Sequence, residues 1–165
     1  AVSGQDLVPV IDHGGTLDKY MGDAVMATFG TPRRGPRDAL NALACARAMT
    51  DAIAEWGMLR EAEGSAPIEI GIGVHFGPVL LGDIGDERRL EFAVIGDTVN
   101  VASRLEALTR PLGARVIVSE ALVAAAGAEA GGTPSGLDGF APVEAQSIRG
   151  REGAVGIWAL GGTGS

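Results

Sequence analysis

Residues 14–30 read Gly-Gly-Thr-Leu-Asp-Lys-Tyr-Met-Gly-Asp-Ala-Val-Met-Ala-Thr-Phe-Gly. Two β-prone runs, Thr16 to Met21 and Ala24 to Phe29, flank Gly22 and Asp23. A two-residue Gly-Asp connection between such runs is a hairpin signal. It constrains the chain to carry an acid, Asp23, at a tight turn, with Lys19 inside the first strand. A carboxylate on a rigid turn can fix a hard cation such as Mg²⁺ or Mn²⁺, which prefers oxygen ligands. A plainer account uses the same residues: Gly-Asp makes the turn, and Lys19 lays its stem on apolar surface with its ammonium in water. The stretch alone leaves both open.

The 165 residues, 46% of them hydrophobic, suffice for one domain with a buried core. The formal net charge of −8 argues against a nonspecific grip on nucleic acid. A single nucleotide can still be bound where a few basic residues converge. One cysteine, Cys45, cannot form an intrachain disulfide, which suits a reducing compartment. It falls in an Ala-rich helical run and is expected to be a small buried residue. No apolar run has the length of a membrane span, and no signal peptide is recognisable. The expected location is cytoplasmic, either free or as the cytoplasmic part of a larger membrane-attached protein.

The order of elements points to an α+β fold. Residues 5–13 read as the end of a helix running into Gly14-Gly15, and the hairpin follows. A Pro/Gly loop at 31–36 leads into a long helix from Arg37 to Glu63, with Leu40, Leu43, Ala44, Ala48, Ile53, Trp56 and Leu59 at a rough 3–4 spacing. Ile68 to Phe76 alternates at period two and predicts a strand. Gly77-Pro78 turns the chain, and Val79 to Gly82 is expected to pair back on that strand. Leu90 to Ile95 is a further strand. A helix follows from Thr98 to Thr109, with Asp97 or Thr98 as its N-cap. Arg115 to Ser119 is a short β-branched strand, and a small Ala-rich helix begins at Ser119 or Glu120. Residues 127–139 read as loop, 143–148 and 154–160 as closing strands, and 161–165 as a flexible tail. Hairpin-paired strands with interspersed helices imply a mixed or antiparallel sheet covered by helices.

A second informative stretch runs from Glu91 to Glu106. Asn100 and Arg104 stand four apart and so share a helix face, beside an apolar stripe of Val101, Leu105 and Leu108. An amide and a guanidinium in the first two turns can hold sugar and phosphate oxygens, since Arg makes forked contacts to phosphate. The alternative is an exposed polar face, with Arg104 unpaired and Glu106 paired to Arg110.

Taken together, these runs resemble the catalytic domain of the class III nucleotidyl cyclases, the adenylate and guanylate cyclases. The blocks that carry the resemblance are HGGTLDKYMGDAVMATFG at 13–30, GIGVHFGPVLLGDIG at 71–85, FAVIGDTVNVASRLEALT at 92–109, RVIVSE at 115–120 and IRGR at 148–151. They lie in the family's order and cover most of the chain.

The resemblance implies a ferredoxin-like α+β domain over 1–165, shortened at its N-terminus. It implies a lyase that converts ATP into 3′,5′-cyclic AMP and pyrophosphate in signal transduction. Two divalent ions, Mg²⁺ or Mn²⁺, would assist attack of the 3′-hydroxyl on the α-phosphate. Asp23 matches a metal aspartate. Lys19 matches the residue that reads the purine edge, and a Lys donor there favours adenine. Asn100 matches the residue that orients the ribose, and Arg104 the one that stabilises charge on the α-phosphate. Arg149 matches a contact to the terminal phosphates, which Arg115 can also reach. His75 and His13 have no family role and are expected to be structural. A homodimer would share its sites, with Asp23 of one subunit facing Lys19, Asn100 and Arg104 of the other. A regulatory domain is expected elsewhere in the native protein.

Two departures from the family stand out. The strand and Gly-rich turn that bear the family's other metal aspartate do not precede residue 5, and Asp6 and Asp12 lack that context. Ala93 stands where adenylate cyclases place an Asp or Thr acceptor for the adenine amino group. The alternatives are therefore a guanylate or relaxed-specificity cyclase, or a non-catalytic module that dimerises and binds nucleotide.

Overall fold

The computed structural model describes residues 8–21, 24–31, 33–66, 69–84, 91–148 and 153–161. In chain order the elements are α1 (Val8–Asp12), β1 (Thr16–Met21), β2 (Ala24–Thr28), α2 (Asp38–Ala62), β3 (Ile72–Val74), β4 (Leu80–Ile84), β5 (Glu91–Ile95), α3 (Asp97–Leu108), β6 (Val116–Ser119), α4 (Glu120–Ala130), a 3₁₀ turn (Ser135–Leu137), β7 (Phe140–Ser147) and β8 (Ala154–Leu160).

The four strands β3-β6-β8-β7 form the central sheet, and the β1–β2 and β4–β5 hairpins form two smaller ones. β3 runs parallel to β6, while β8 is antiparallel to both β6 and β7. The arrangement is the mixed, helix-covered α+β architecture expected. β6, Val-Ile-Val-Ser, is buried along its whole length. A strand buried throughout in this way needs cover on both faces.

The cover is different on each side. Val116 and Val118 point toward α2 and α4 and pack with Ala39, Leu43, Ala46, Leu122, Ala126, Phe140 and Leu160. Ile117 points the other way and packs with Ile157, Ile148 and the Val101 and Leu105 of α3. Period-two alternation along β6 thus feeds two separate cores.

Glu129 of α4 ties that helix to the start of α2. The residue before α2, Arg37, makes no side-chain cap. Instead the Glu129 carboxylate accepts from the backbone N–H of Ala39 at 3.1 Å and of Leu40 at 2.9 Å. A carboxylate at a helix start meets both the orphan donors and the positive end of the dipole. Ser119 does the same for α4, its Oγ accepting from Leu122 N at 3.2 Å. Cys45 is buried in α2 as expected, and burial pushes its thiol up to about 11.

Three expectations need correction. The strand predicted over 68–76 is only Ile72–Val74, matched to the brief run of β6 that it pairs with. β4 does not return onto β3; it pairs antiparallel with β5, in a register of Leu80↔Ile95 through Ile84↔Glu91. The Gly77-Pro78 turn carries the chain away from β3, whose partner lies in parallel much later in the sequence. The region 127–139 is not all loop: α4 continues to Ala130, and the 3₁₀ turn follows.

Candidate active site

The site grows from α3. Gly96 is its N-cap at φ 146°, a backbone conformation that L side chains rarely adopt, so neither Asp97 nor Thr98 takes the predicted cap position. Val101 and Leu105 are fully buried against the sheet. On the outer side Asn100, Ser103, Arg104 and Ala107 line one open recess of about 390 Å³. Their spacing of i, i+3, i+4 and i+7 is a single helix stripe. Asn100 and Arg104 are both exposed. Among the described residues neither has an ion pair or hydrogen bond. The structure therefore brings these two predicted residues together, with their donors free. Ser103 and Ala107 were not singled out from sequence, although the same helical spacing would have found them.

The polar account of this face is also visible. Arg110 and Glu106 approach to 3.9 Å, with Arg110 largely in water. Such a surface pair adds little to stability.

On its inner side α3 rests on bare backbone. A Cβ at Gly73 would overlap Glu106 N and come 2.5 Å from Ala102 O, both backbone atoms of α3. A Cβ at Gly71 would overlap the Thr109 hydroxyl, and one at Gly77 would lie 2.6 Å from Thr98 Oγ1. Gly71 and Gly73, read as small positions of the strand pattern over 68–76, and Gly77, read as part of a turn, therefore also give clearance for the helix. Thr98 is buried and donates through Oγ1 to Pro78 O at 2.5 Å. Beyond β3, His75 Nδ1 and Ser119 Oγ lie 2.7 Å apart, joining the ends of the two parallel strands. His13 Nδ1 lies 2.7 Å from Pro9 O.

The remaining predicted residues are placed as follows. Lys19 lies in β1, opposite Met26, directly after a register shift between Leu17 and Lys19. Such bulges are common beside active sites, where they re-aim a strand. Asp23 and Arg149 lie outside the described residues. Arg115 precedes β6, with its N–H donating to Leu160 O and its side chain beside Gly161. The neighbouring Ala114 bonds to Thr109, so Arg115 stands at the C-terminal end of α3. Asn100 lies near the other end, nine residues or about 13 Å of helix away. One chain does not gather Arg115 into the recess. Ala93 pairs with Gly82 in the β4–β5 ladder.

Among the described residues no three His, Cys, Asp or Glu side chains converge to hold an ion. On that donor set they do not fit the two ions that the resemblance implies, and Asp23 is a candidate ligand by sequence position only. No helix among the described residues is long and apolar enough to cross a membrane.

Residues 15–134 match the family model described as "Adenylate and Guanylate cyclase catalytic domain". The chain belongs to that family, the class III nucleotidyl cyclases. It is 31% identical over 153 residues to "Adenylate cyclase 1" of Rhizobium meliloti, covering 93% of this chain and 22% of that protein. It is 39% identical over 114 residues to the "Adenylate cyclase" of Anabaena cylindrica, covering 68% of this chain and again 22% of the relative. The chain thus spans about a fifth of the curated relatives it matches. Among solved structures, the guanylyl cyclase Cya2 superposes with a TM-score of 0.76 at 33% identity, over 98% of this chain and 77% of that one. The adenylyl cyclase CyaB from P. aeruginosa gives 0.75 at 25%, over 94% and 76%.

Proposed function

We propose that this domain is an adenylate cyclase that converts ATP into 3′,5′-cyclic AMP and pyrophosphate, and that its sites are completed by a second copy. The observation that carries this reading is the recess on α3. Among the described residues all four that line it belong to one helix, so the described chain supplies one wall. The principal packing neighbours of α3 are β3, β5 and β6, whereas the β1–β2 hairpin packs on α1. A nucleotide held by Asn100 and Arg104 then needs a facing surface. A twofold dimer supplies it twice over, with the hairpin turn bearing Asp23 brought up by the partner subunit.

In this reading Asn100 fixes the ribose so that its 3′-oxygen points at the α-phosphorus. That oxygen forms the new P–O bond, and the bond from the α-phosphorus to the bridging oxygen breaks. Its electron pair leaves with pyrophosphate, and the hydroxyl proton passes to solvent. Arg104 donates to the α-phosphate oxygens as charge builds on them. A fixed guanidinium aimed at developing charge is the kind of group that lowers a barrier most. The divalent ions that the resemblance implies would supply neutralisation of triphosphate charge, with Asp23 the residue matched by sequence to one of their ligands. Arg149 and Arg115 bind the terminal phosphates, with Arg115 reaching them from the other subunit. Lys19 reads the adenine edge. With Ala93 in place of an acceptor, selection for ATP over GTP rests mainly on Lys19.

The similarity to a guanylyl cyclase at 33% identity supports a second reading, a cyclase of relaxed or GTP-preferring specificity. The test is cyclic AMP and cyclic GMP formation with Mn²⁺, by the chain and by a form carrying its natural flanking residues. Cyclic AMP as the main product supports the adenylate reading, and cyclic GMP as the main product replaces it. No product from the extended form leaves a nucleotide-binding module as the better account.

A further inference from the structure

We propose that Thr98 is a positioning residue for Asn100 and Arg104, holding the first turn of α3 against the turn that follows β3. The proposal rests on the cyclase reading only for its catalytic readout. The need for such a hold is visible at the start of the helix. α3 has no side-chain cap, because its N-cap is Gly96. A helix end without a cap is prone to fray. Asn100 is the fourth residue of α3, so fraying would displace it first and Arg104 next.

Thr98 supplies the missing hold from the side. It is 8% exposed, and its hydroxyl donates to Pro78 O at 2.5 Å across a separation of 20 residues. Gly77 makes room for this bond. It has no Cβ, and one added there would come 2.6 Å from Thr98 Oγ1 and 3.2 Å from Thr98 Cγ2. Pro78 presents its carbonyl while donating nothing itself. Thr98 and Asn100 are two residues apart, about 3 Å along the helix axis. A shift at Thr98 therefore moves the same helical turn that carries Asn100.

The hydroxyl and the methyl of Thr98 can be tested separately. Thr98→Val keeps the branched shape and removes the donor, and Thr98→Ser keeps the donor and removes the methyl. The experiment measures kcat and KM for ATP with Mn²⁺ in the protein with its natural flanking residues. Thermal unfolding and amide hydrogen exchange over Val99 to Val101 are followed alongside. Thr98→Val is expected to lower kcat about tenfold or more and to leave KM within about twofold, since small misplacements of positioning groups act on the transition state. Exchange over the first turn should speed up while the unfolding midpoint moves little. Thr98→Ser should return kcat and exchange close to the original values. The proposal is overturned if Thr98→Val keeps full kcat, if Thr98→Ser is as impaired as Thr98→Val, or if lost activity only follows lost folded protein. If the unmutated protein makes no cyclic nucleotide, the cyclase reading fails by itself. Exchange then decides the Thr98 claim: faster in Thr98→Val alone upholds it, and equal rates in all three proteins reject it.

Discussion

The two faces of the central sheet are built on opposite plans. On the α2/α4 face, side chains fill the space: Leu43, Leu122, Val116, Val118 and Phe140 interdigitate over β6. On the α3 face, absent side chains set the distance: Gly73 lets backbone meet backbone, while Gly71 leaves room for Thr109 and Gly77 for Thr98. A filled face can absorb small changes by repacking. A backbone contact cannot, because no side chain is present to rotate aside. The helix that carries Asn100 and Arg104 is seated on the unforgiving face. Both faces carry a buried apolar cluster, but only on the α3 face do glycines also fix how closely the helix approaches.

The comparison can be broken at several points. The largest expected effect is Arg104→Ala, which should cut cyclic AMP formation by about 10²–10³-fold with the folded structure retained, as loss of a transition-state donor does. Activity near the original level would remove α3 from the chemistry. Next is Gly73→Ala. Its Cβ meets the backbone of α3 rather than a flexible side chain, so α3 must move. The expected loss in kcat is at least about tenfold even at temperatures where circular dichroism shows the protein folded. Leu43→Ala sharpens the contrast from the other face. It should cost about 2–5 kcal/mol in chemical denaturation and leave kcat per folded molecule unchanged. A kcat loss there would show that the two faces are not independent. Glu129→Ala, which strips α2 of its tertiary cap, should cost about 1 kcal/mol with kcat again unchanged. Smallest of all is Arg110→Ala, which should change neither rate nor unfolding midpoint measurably.

Where the sequence was readable, local chemistry decided the outcome. The four-residue spacing of Asn100 and Arg104, the β-branched run of β6 and the long Ala-rich α2 all carry their signals within a few residues. Ser119 capped α4 where a Ser before an apolar helix should. The misreadings fall where the deciding partner is distant. β3 was matched to the strand next in sequence, because Gly77-Pro78 resembles a hairpin turn. Its true partner, β6, is some forty residues away and parallel, and parallel pairing leaves no turn to read. Gly71 and Gly73 suggested the small positions of an alternating strand, while their purpose depends on where α3 lies. Arg115 was expected to reach the terminal phosphates beside Arg149, yet only the fold reveals its place at the far end of α3 from Asn100. Asp23 and Arg149 lie outside the described residues, so the sequence alone speaks for them.

One experiment goes straight to the claim that two copies build each site. Asp23→Ala and Arg104→Ala proteins, each inactive alone, are mixed and assayed for cyclic AMP with Mn²⁺. In the mixed dimer one interface site keeps both native residues, while the other site loses both. The account predicts that mixing restores a substantial fraction of the original activity. No recovery, with sedimentation or light scattering showing that mixed dimers have formed, would contradict it.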